Sequence, residues 1–183
     1  MPATATLDAP TTDELRHTFA LAEQHFGQVP NLVRVLATNP TLCSSITAFY
    51  AQALRDGRVS WAFKELVIVK TLRSIGAYYS YGAHERLALE LGNSPERIGD
   101  LAGPLWQAGE HFDDGERAVL ELVVQIGEDA NAVPDELWTR LRAHWDHGQL
   151  LELCAVITTF IMIGRLGDTL GVSDPVLFAS PVR

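Results

Sequence analysis

SWAFKELVIVKTLRSIGAYYSYGAHERLALEL, residues 60–91, is the stretch of sequence that decides the fold. Apolar residues recur at helical spacing on both sides of Gly76, which predicts two helices that meet at a glycine corner. The first of these helices is apolar on nearly every face, as is typical of a helix buried on all sides. The pattern therefore predicts a buried helical pair at the centre of the molecule.

Each of the two predicted helices carries one titratable residue on its core-facing stripe. Glu65 shares a face with Trp61, Ile68 and Leu72, because these residues are spaced at i, i+4, i+7 and i+11. His84 lies in the middle of the second stripe, which consists of Ala77, Ser80, Tyr81, His84, Leu87, Ala88 and Leu91. We expect the two groups to meet in the interior, where a carboxylate would orient the imidazole and let it carry a proton.

A structural interpretation of the same residues stays open at this point. A lone histidine on an apolar helix face is commonly a satisfied core residue, and Glu65 has Arg73 and Arg165 as alternative partners. Arg165 and Asp168 lie one turn apart in an apolar context, which predicts a buried ion pair.

The segment ELVIVKTLRSIGAYYSYGAHERLA, residues 65–88, resembles the motif of the alkylhydroperoxidase D and carboxymuconolactone decarboxylase family. In the thiol-peroxidase branch of that family, a Glu is followed by Cys-x-x-Cys and by a His four residues after the second cysteine. Glu65 and His84 fall on the Glu and His of this pattern, and Ala77 and Ser80 occupy the two cysteine positions. Residues 113–172 are similar to the C-terminal helices of the same family.

The resemblance implies proton chemistry without sulfur chemistry. In the peroxidase branch, the Glu and His form a proton relay that generates a thiolate, which neither Ala77 nor Ser80 can supply. Dithiol peroxidase activity is therefore not expected. The decarboxylase branch lacks catalytic cysteines and keeps a His at the position of His84, which implies general acid/base catalysis on a small carbonyl, lactone or carboxylate substrate.

The site predicted from this resemblance has Glu65 and His84 as catalytic residues. Tyr78, Tyr79 and Tyr81 are candidate substrate-binding residues, and no cofactor is expected. Whether the protein is an enzyme stays open between a lyase or decarboxylase type and a peroxidase-related type. Two further alternatives are a non-catalytic ligand-binding or assembly module on the same fold, and the antioxidant alkylhydroperoxidase role that the family label suggests.

Composition restricts the partners of this chain of 183 residues. The net charge of −9 and the pI near 5.0 argue against nucleic-acid binding, which requires basic patches. No segment reaches the roughly 18 uninterrupted apolar residues of a membrane span, and no secretory signal is evident. We therefore expect a cytoplasmic protein with a small-molecule ligand. The resemblance also implies a homo-oligomer.

No metal site is expected. His17 and His25 are predicted surface residues without acidic or sulfur partners at ligand spacing, and the cluster 144–147 straddles a helix break where Asp146 is needed as a cap. Cys43 and Cys154 are far apart on helical patterns and are predicted to be buried hydrophobic residues rather than a disulfide.

The fold predicted from these patterns is an all-α, orthogonal multi-helix bundle of about seven to nine helices. Residues 1–10 are expected to be a flexible N-terminal segment, and residues 11–183 a single all-helical domain of the carboxymuconolactone decarboxylase type. Capping residues predict the ends of several helices, for example Thr12 or Asp13, Ser94, and the pairs Asp113 with Glu116 and Asp146 with Gln149. Gly171 is predicted to end the last helix.

Overall fold

A computed structural model describes residues 6–172, except for the side chains of residues 78–80. The described chain is helical and contains no strand, so the predicted all-α fold is confirmed. Its ten helices are α1 (Asp13–Phe26), α2 (Asn31–Leu36), α3 (Pro40–Ala53), α4 (Trp61–Ser74), α5 (Tyr78–Glu90), α6 (Pro95–Asp100), α7 (Leu105–Ala108), α8 (Asp114–Asp129), α9 (Asp135–His144) and α10 (His147–Leu170). The count exceeds the predicted range by one, because even the four-residue turn α7 forms a helix of its own.

The helix ends follow the capping chemistry of the sequence. Thr12 accepts a hydrogen bond from Leu15 N at the start of α1, and Ser94 does the same for Arg97 N at the start of α6. Capping boxes open α8 at Asp113 and α10 at Asp146. These side chains satisfy amide groups that the first turn of a helix leaves without partners, which fixes where each helix begins.

Helix α4 lies at the centre of the molecule and packs against α5, α8 and α10. Seven consecutive residues of this helix, 63–69, are buried, which explains why its sequence is apolar around nearly the whole circumference. A second hydrophobic cluster joins α1, α2 and α3 with the C-terminal part of α10. The region between the two clusters is where α1, α3 and α5 come together.

One buried cation in α4 fixes the loop that leads into it. The ammonium of Lys64 forms an ion pair with Glu152 of α10 and donates hydrogen bonds to the carbonyl oxygens of Ala53 and Arg55. Glu152 also accepts a hydrogen bond from Arg58 N, at 2.8 Å. The carboxylate lies so close to Gly57 that a Cβ atom at this position would overlap with it. The loop after α3 is thereby held between α4 and α10.

Part of the N-terminal segment that was predicted to be flexible is held against α2. Leu7 N donates to the carbonyl oxygen of Arg34 at 3.0 Å, and the Arg34 guanidinium donates to Asp8 O at 2.9 Å. The side chain of Leu7 packs against the second cluster. Residues 1–5 and 173–183 lie outside the described part. Pro175 and Pro181, whose presence after Gly171 predicts a C-terminal tail, are among these residues.

Helix α10 is long and apolar enough, by length and composition, to cross a membrane. Half of its most apolar window is buried inside the protein, against α4, α8, α3 and α5. Its hydropathy is therefore explained by its position as a core helix.

We expect Glu152→Gln to lower the free energy of unfolding by about 3 kcal/mol, because it leaves the buried Lys64 ammonium without its countercharge. Glutamine keeps an acceptor for Arg58 N, so the variant isolates the loss of charge. Urea denaturation measures the effect. The matched control is Glu121→Gln, which breaks the exposed pair of Glu121 with Arg140 and is expected to cost less than about 1 kcal/mol. Equal losses in the two variants would contradict a stabilising role of the buried pair.

Candidate functional site

The carboxylate of Glu65 is completely buried, with an exposed fraction of 0%. Ser60 caps α4 by accepting a hydrogen bond from Phe63 N, which sets the start of the helix and the rotational position of Glu65 on it. The side chain points toward α5. An ionised carboxylate at such a position requires partners, because burial without compensation is strongly unfavourable.

His84 supplies the first of these partners. The chain turns between α4 and α5 at Gly76, whose φ of 69° is in the left-handed region that glycine adopts without strain. This turn lays α5 against α4, and Nδ1 of His84 comes within 2.7 Å of Oε2 of Glu65. His84 is itself 5% exposed. The predicted meeting of the two side chains in the interior is thus what the structure shows.

Trp61 supplies the second partner of the carboxylate. Its indole Nε1 donates to Oε1 of Glu65 at 2.8 Å, one helical turn before it. Neither arginine considered from the sequence reaches Glu65. Arg73 instead pairs with Glu85, and Arg165 is exposed. The indole and the imidazole are therefore the groups that satisfy the two oxygens of Glu65.

The hydrogen bond to Glu65 determines which nitrogen of His84 is available. A carboxylate accepts but does not donate, so the proton of the neutral imidazole lies on Nδ1 and a lone pair lies on Nε2. No hydrogen bond to Nε2 is present among residues 6–172. When protonated, the ring donates through Nε2. His84 can therefore both take and give a proton at this atom.

A cavity of about 290 Å³ lies beside His84. It is open to solvent and bounded by α5, the C-terminal end of α1, α2, α3 and α10. Its lining residues are mostly apolar: His25, Phe26, Gln28, Pro30, Leu32, Tyr50, Leu54, Ala83, His84, Arg86, Leu87, Glu90 and Ile163. The volume is at the lower end of the range of about 300–1,000 Å³ that is typical of small-molecule sites. It suits a ligand with a single ring.

Aromatic side chains support the imidazole and the wall of the cavity. Phe160 of α10 lies edge to face with the ring of His84, at 4.9 Å between centroids. The row continues from Phe160 to Tyr50 at 5.5 Å and from Tyr50 to Phe26 at 4.8 Å. Such contacts fix ring orientation as well as burying area. The row joins α10, α3 and α1 beside His84.

The first of the two cysteine positions, Ala77, does not offer an open reactive site. Ala77 is fully buried and packs closely against Gly164 of α10. A Cβ atom added to Gly164 would lie 2.8 Å from the Cβ of Ala77. The side chains of Ser80, Tyr78 and Tyr79 lie outside the described part of the structure. Tyr81 is not among the lining residues of the cavity; its ring lies under the Arg73 guanidinium at 5.0 Å.

The two cysteines of the chain are poorly placed for thiolate chemistry. Cys43 is buried in the second cluster, where its Sγ contacts Val33 O at 3.5 Å. Burial raises the pKa of the Cys43 thiol, and it also raises the pKa of the half-buried Cys154 thiol. A raised pKa leaves less thiolate at neutral pH, and the thiolate is the nucleophile.

Several other predictions need correction or comment. His25 is half-buried and lines the cavity, so its prediction as a surface residue is wrong; His17 is exposed as expected. Arg165 and Asp168 are both exposed rather than a buried pair, because they lie on the outer face of α10. Within residues 6–172, no group of three or more His, Cys, Asp or Glu residues could hold a metal ion.

Sequence reasoning missed Arg86, Tyr50 and the hydrogen bond of Trp61. Arg86 and Glu90 follow His84 on α5 and line the cavity, although they lie outside the apolar stripe that singled out His84. Tyr50 also lines the cavity, although it was not among the residues predicted to form the site. The signal that could have found Trp61 was its i, i+4 spacing from Glu65.

The fold is all-helical, and a buried Glu–His pair lies beside an apolar cavity. Comparison with known families gives a match of residues 40–125 to the carboxymuconolactone decarboxylase family. This part of the chain, which contains Glu65 and His84, is therefore similar to that family, with Ala77 and Ser80 at the positions of the Cys-x-x-Cys.

Among related sequences, YdfG of Bacillus subtilis (strain 168), described as an uncharacterized protein, is 28% identical over 118 residues. The matched segment covers 64% of the present chain and 79% of YdfG.

Solved structures with the same fold include proteins of different description. The debrominase Bmp8 in its apo form matches with a TM-score of 0.82 and 16% identity, over 95% of the present chain and 93% of Bmp8. A peroxidase-related protein from Ralstonia eutropha JMP134, described as an alkylhydroperoxidase AhpD core, matches with a TM-score of 0.79 and 19% identity, over 94% and 91% of the two chains. At these identities the matches establish the fold.

We expect Trp61→Phe to destabilise the protein by about 1–3 kcal/mol, because it keeps the aromatic packing but leaves Oε1 of Glu65 buried without a donor. Urea denaturation measures this loss. Trp138→Phe is the matched control, since Trp138 is also half-buried and its indole donates no hydrogen bond to any described residue. A loss no larger than that of the control would show that the indole does not support the carboxylate.

The raised pKa values of the two thiols predict slow reaction with a thiol reagent. In the native protein at neutral pH, Cys43 is expected to resist labelling, and Cys154 to react slowly; both should react at once in denaturant. Mass spectrometry after timed quenching distinguishes the two sites. Rapid native labelling, or peroxide reduction that depends on an added dithiol and on either cysteine, would overturn this assignment.

Proposed function

We propose that the protein performs general acid/base catalysis on a small carbonyl, lactone or carboxylate substrate, with His84 as the proton-transferring residue and Glu65 as the residue that orients it. The observation that carries the proposal is the 2.7 Å contact between Nδ1 of His84 and the buried carboxylate of Glu65, at the wall of a cavity of ligand size. Nε2 is left to act on a bound molecule.

The carboxylate gives this arrangement its catalytic capacity. When Nε2 takes a proton from a substrate, positive charge develops on the imidazole, and Glu65 stabilises that charge across a short hydrogen bond. The surrounding apolar side chains exclude water and increase the strength of this interaction. When the proton returns to a different atom of the substrate, the net result is an isomerisation. If the proton goes to a leaving group as its bond to carbon breaks, the result is an elimination. If a C–C bond breaks with release of CO₂ and the proton goes to the remaining carbon, the result is a decarboxylation.

Dithiol peroxidase activity has little support in this chain. The first cysteine position is occupied by the enclosed Ala77, the second by Ser80, and burial raises the pKa of both remaining thiols. The structural relatives include both peroxidase-related proteins and a debrominase. The fold therefore occurs in proteins with more than one function, and a function for this chain has to be inferred from the residues of its site.

The second candidate function is that of a non-catalytic ligand-binding module. It is favoured by the fact that both oxygens of Glu65 and Nδ1 of His84 already have partners within the protein. The two functions differ in the fate of the bound molecule: a binding module leaves it unchanged.

Proton exchange between a small substrate and deuterated solvent tests the catalytic proposal. A panel of small lactones and β-keto acids is incubated with the protein, and NMR follows loss of the C–H signal next to the carbonyl as well as release of CO₂. We expect His84→Gln to lower the rate by about 10²–10⁴-fold, the usual contribution of a general acid/base. Glu65→Gln is expected to lower it less, because the ring remains present.

His111→Gln is the matched control. Nδ1 of His111 lies 2.8 Å from Oδ2 of Asp100, so it forms a similar histidine–carboxylate pair, but far less buried and away from the cavity. We expect the His111→Gln variant to be as active as the unaltered protein. If His84→Gln catalysed exchange as fast as His111→Gln, the proposed role of His84 would be lost. Binding without exchange in every case would favour the binding module.

A further inference from the structure

The polar groups of the cavity are arranged around an apolar body. Phe26, Leu32, Tyr50, Leu54, Leu87 and Ile163 contribute most of the wall. His84 and Arg86 come from the same helix, α5, and both line the cavity. The walls of the cavity thus include a proton acceptor, a permanent cation and several apolar side chains.

His84 offers an acceptor rather than a donor when it is neutral. Glu65 holds the proton of the ring on Nδ1, at 2.7 Å, so the lone pair on Nε2 is what the ring offers. A ligand that fills the cavity beside this atom is favoured if it brings a proton to the contact. Ligands with only acceptor groups leave the lone pair unmatched, which weakens binding.

Arg86 offers a cation whose ion pair within the protein is long and largely exposed. Its Nε lies 3.5 Å from Oε1 of Glu90, one turn later on α5, and the Glu90 side chain is 61% exposed. The terminal nitrogens of Arg86 make no hydrogen bond within the described part of the chain. A guanidinium in this state can donate to an anion in the cavity, where partial burial strengthens the contact.

We propose that the cavity binds a weak acid with a single ring as its conjugate base. The bond between the acidic hydrogen and its oxygen or nitrogen breaks, the electron pair stays on the ligand, and the proton forms a bond with Nε2 of His84. The imidazolium is then stabilised by Glu65, and the anion by Arg86 and the imidazolium. This proposal rests on the proposed function, since it concerns the same cavity and the same proton acceptor. It narrows the substrate class to molecules that bring an acidic hydrogen, such as the enol form of a carbonyl compound, and leaves out simple carboxylates and lactones.

The ligand class follows from what each group supplies. Carboxylic acids are already ionised in neutral water and bring no proton to Nε2, whereas phenols, enols and acidic azoles do. The titratable groups that face the site are Glu65 from α4, Arg86 and Glu90 from α5, His25 from α1 and Tyr50 from α3. Arg86 is the group in this set that carries a permanent positive charge.

The probe for the test is 4-nitrophenol, whose conjugate base is yellow and whose neutral form is not. The titration is performed in mildly acidic buffer, where the free phenol is mostly protonated. We expect saturating protein to raise the ratio of ionised to neutral phenol by about tenfold or more, the effect of one charge-assisted hydrogen bond. The neutral analogue 4-nitrotoluene and the carboxylate 4-nitrobenzoate are titrated beside it.

Variants assign the effect to its residues. Arg86→Gln is expected to weaken binding of the ionised phenol about tenfold and to leave the affinity for 4-nitrotoluene unchanged. His84→Gln is expected to abolish most of the increase in the ionised fraction. Arg142→Gln, which alters an exposed arginine on α9, is the control and is expected to bind as the unaltered protein does.

The outcomes separate this proposal from the proposed function. One outcome is that the phenol binds in its ionised form in a way that depends on Arg86 and His84, while catalysis is insensitive to His84→Gln. This outcome would support the weak-acid site and remove the catalytic role. The opposite outcome is that catalysis depends on His84 but the phenol binds in its neutral form. This outcome would support the catalytic role and overturn the weak-acid proposal. The weak-acid proposal is also overturned if none of the probes binds, if 4-nitrobenzoate binds more tightly than the phenol, or if Arg86→Gln binds the ionised phenol unchanged.

Discussion

The buried carboxylate of Glu65 is the constraint on which the site depends. A charge with no exposed surface persists only if its oxygens are paired, and here an indole and an imidazole pair them. The indole comes from the preceding turn of the same helix, so its contact needs no tertiary structure beyond α4. The imidazole comes from α5. The requirement to satisfy Oε2 therefore links the position of α5 to that of α4, and the cavity forms where α5 meets α1 and α3.

The same requirement explains why the Glu–His pair does not depend on neighbouring thiols. In a dithiol site, a Glu–His pair serves a neighbouring thiol. In this chain, the corresponding side chain at Ala77 packs against α10, and the pair borders an apolar cavity instead. Neither Glu65 nor His84 needs the thiols for its own hydrogen bonds, since the structure satisfies them through each other and Trp61. The pair is thus compatible with the proposed function, in which a substrate, rather than a cysteine of the protein, gives up the proton.

The sequence predicted the helices and the Glu–His pair because both depend on local chemistry. Caps at Thr12, Asp113 and Asp146 mark helix starts without reference to the rest of the fold. Glu65 and His84 stood out because each interrupts an apolar stripe. Arg86 does not interrupt a stripe, and its place in the cavity depends on where α1 and α3 lie, which helical spacing does not determine. Arg165 failed as a buried partner for the same reason: an apolar context in sequence includes the outer face of α10.

Two adjacent charged residues of α4 together fix the geometry of the cavity. Lys64 and Glu65 point in directions about 100° apart, as consecutive helical residues do. Lys64 binds Glu152 of α10 and the carbonyl groups at the end of α3, whereas Glu65 binds His84 of α5. Rotation of α4 about its axis would break both sets of contacts at once. Tyr50 lies on α3 and Leu54 directly follows this helix, whereas His84 and Arg86 lie on α5. This rotational constraint therefore fixes the positions of these lining residues relative to one another. A single core helix thereby couples the stability of the fold to the placement of the groups that face the ligand.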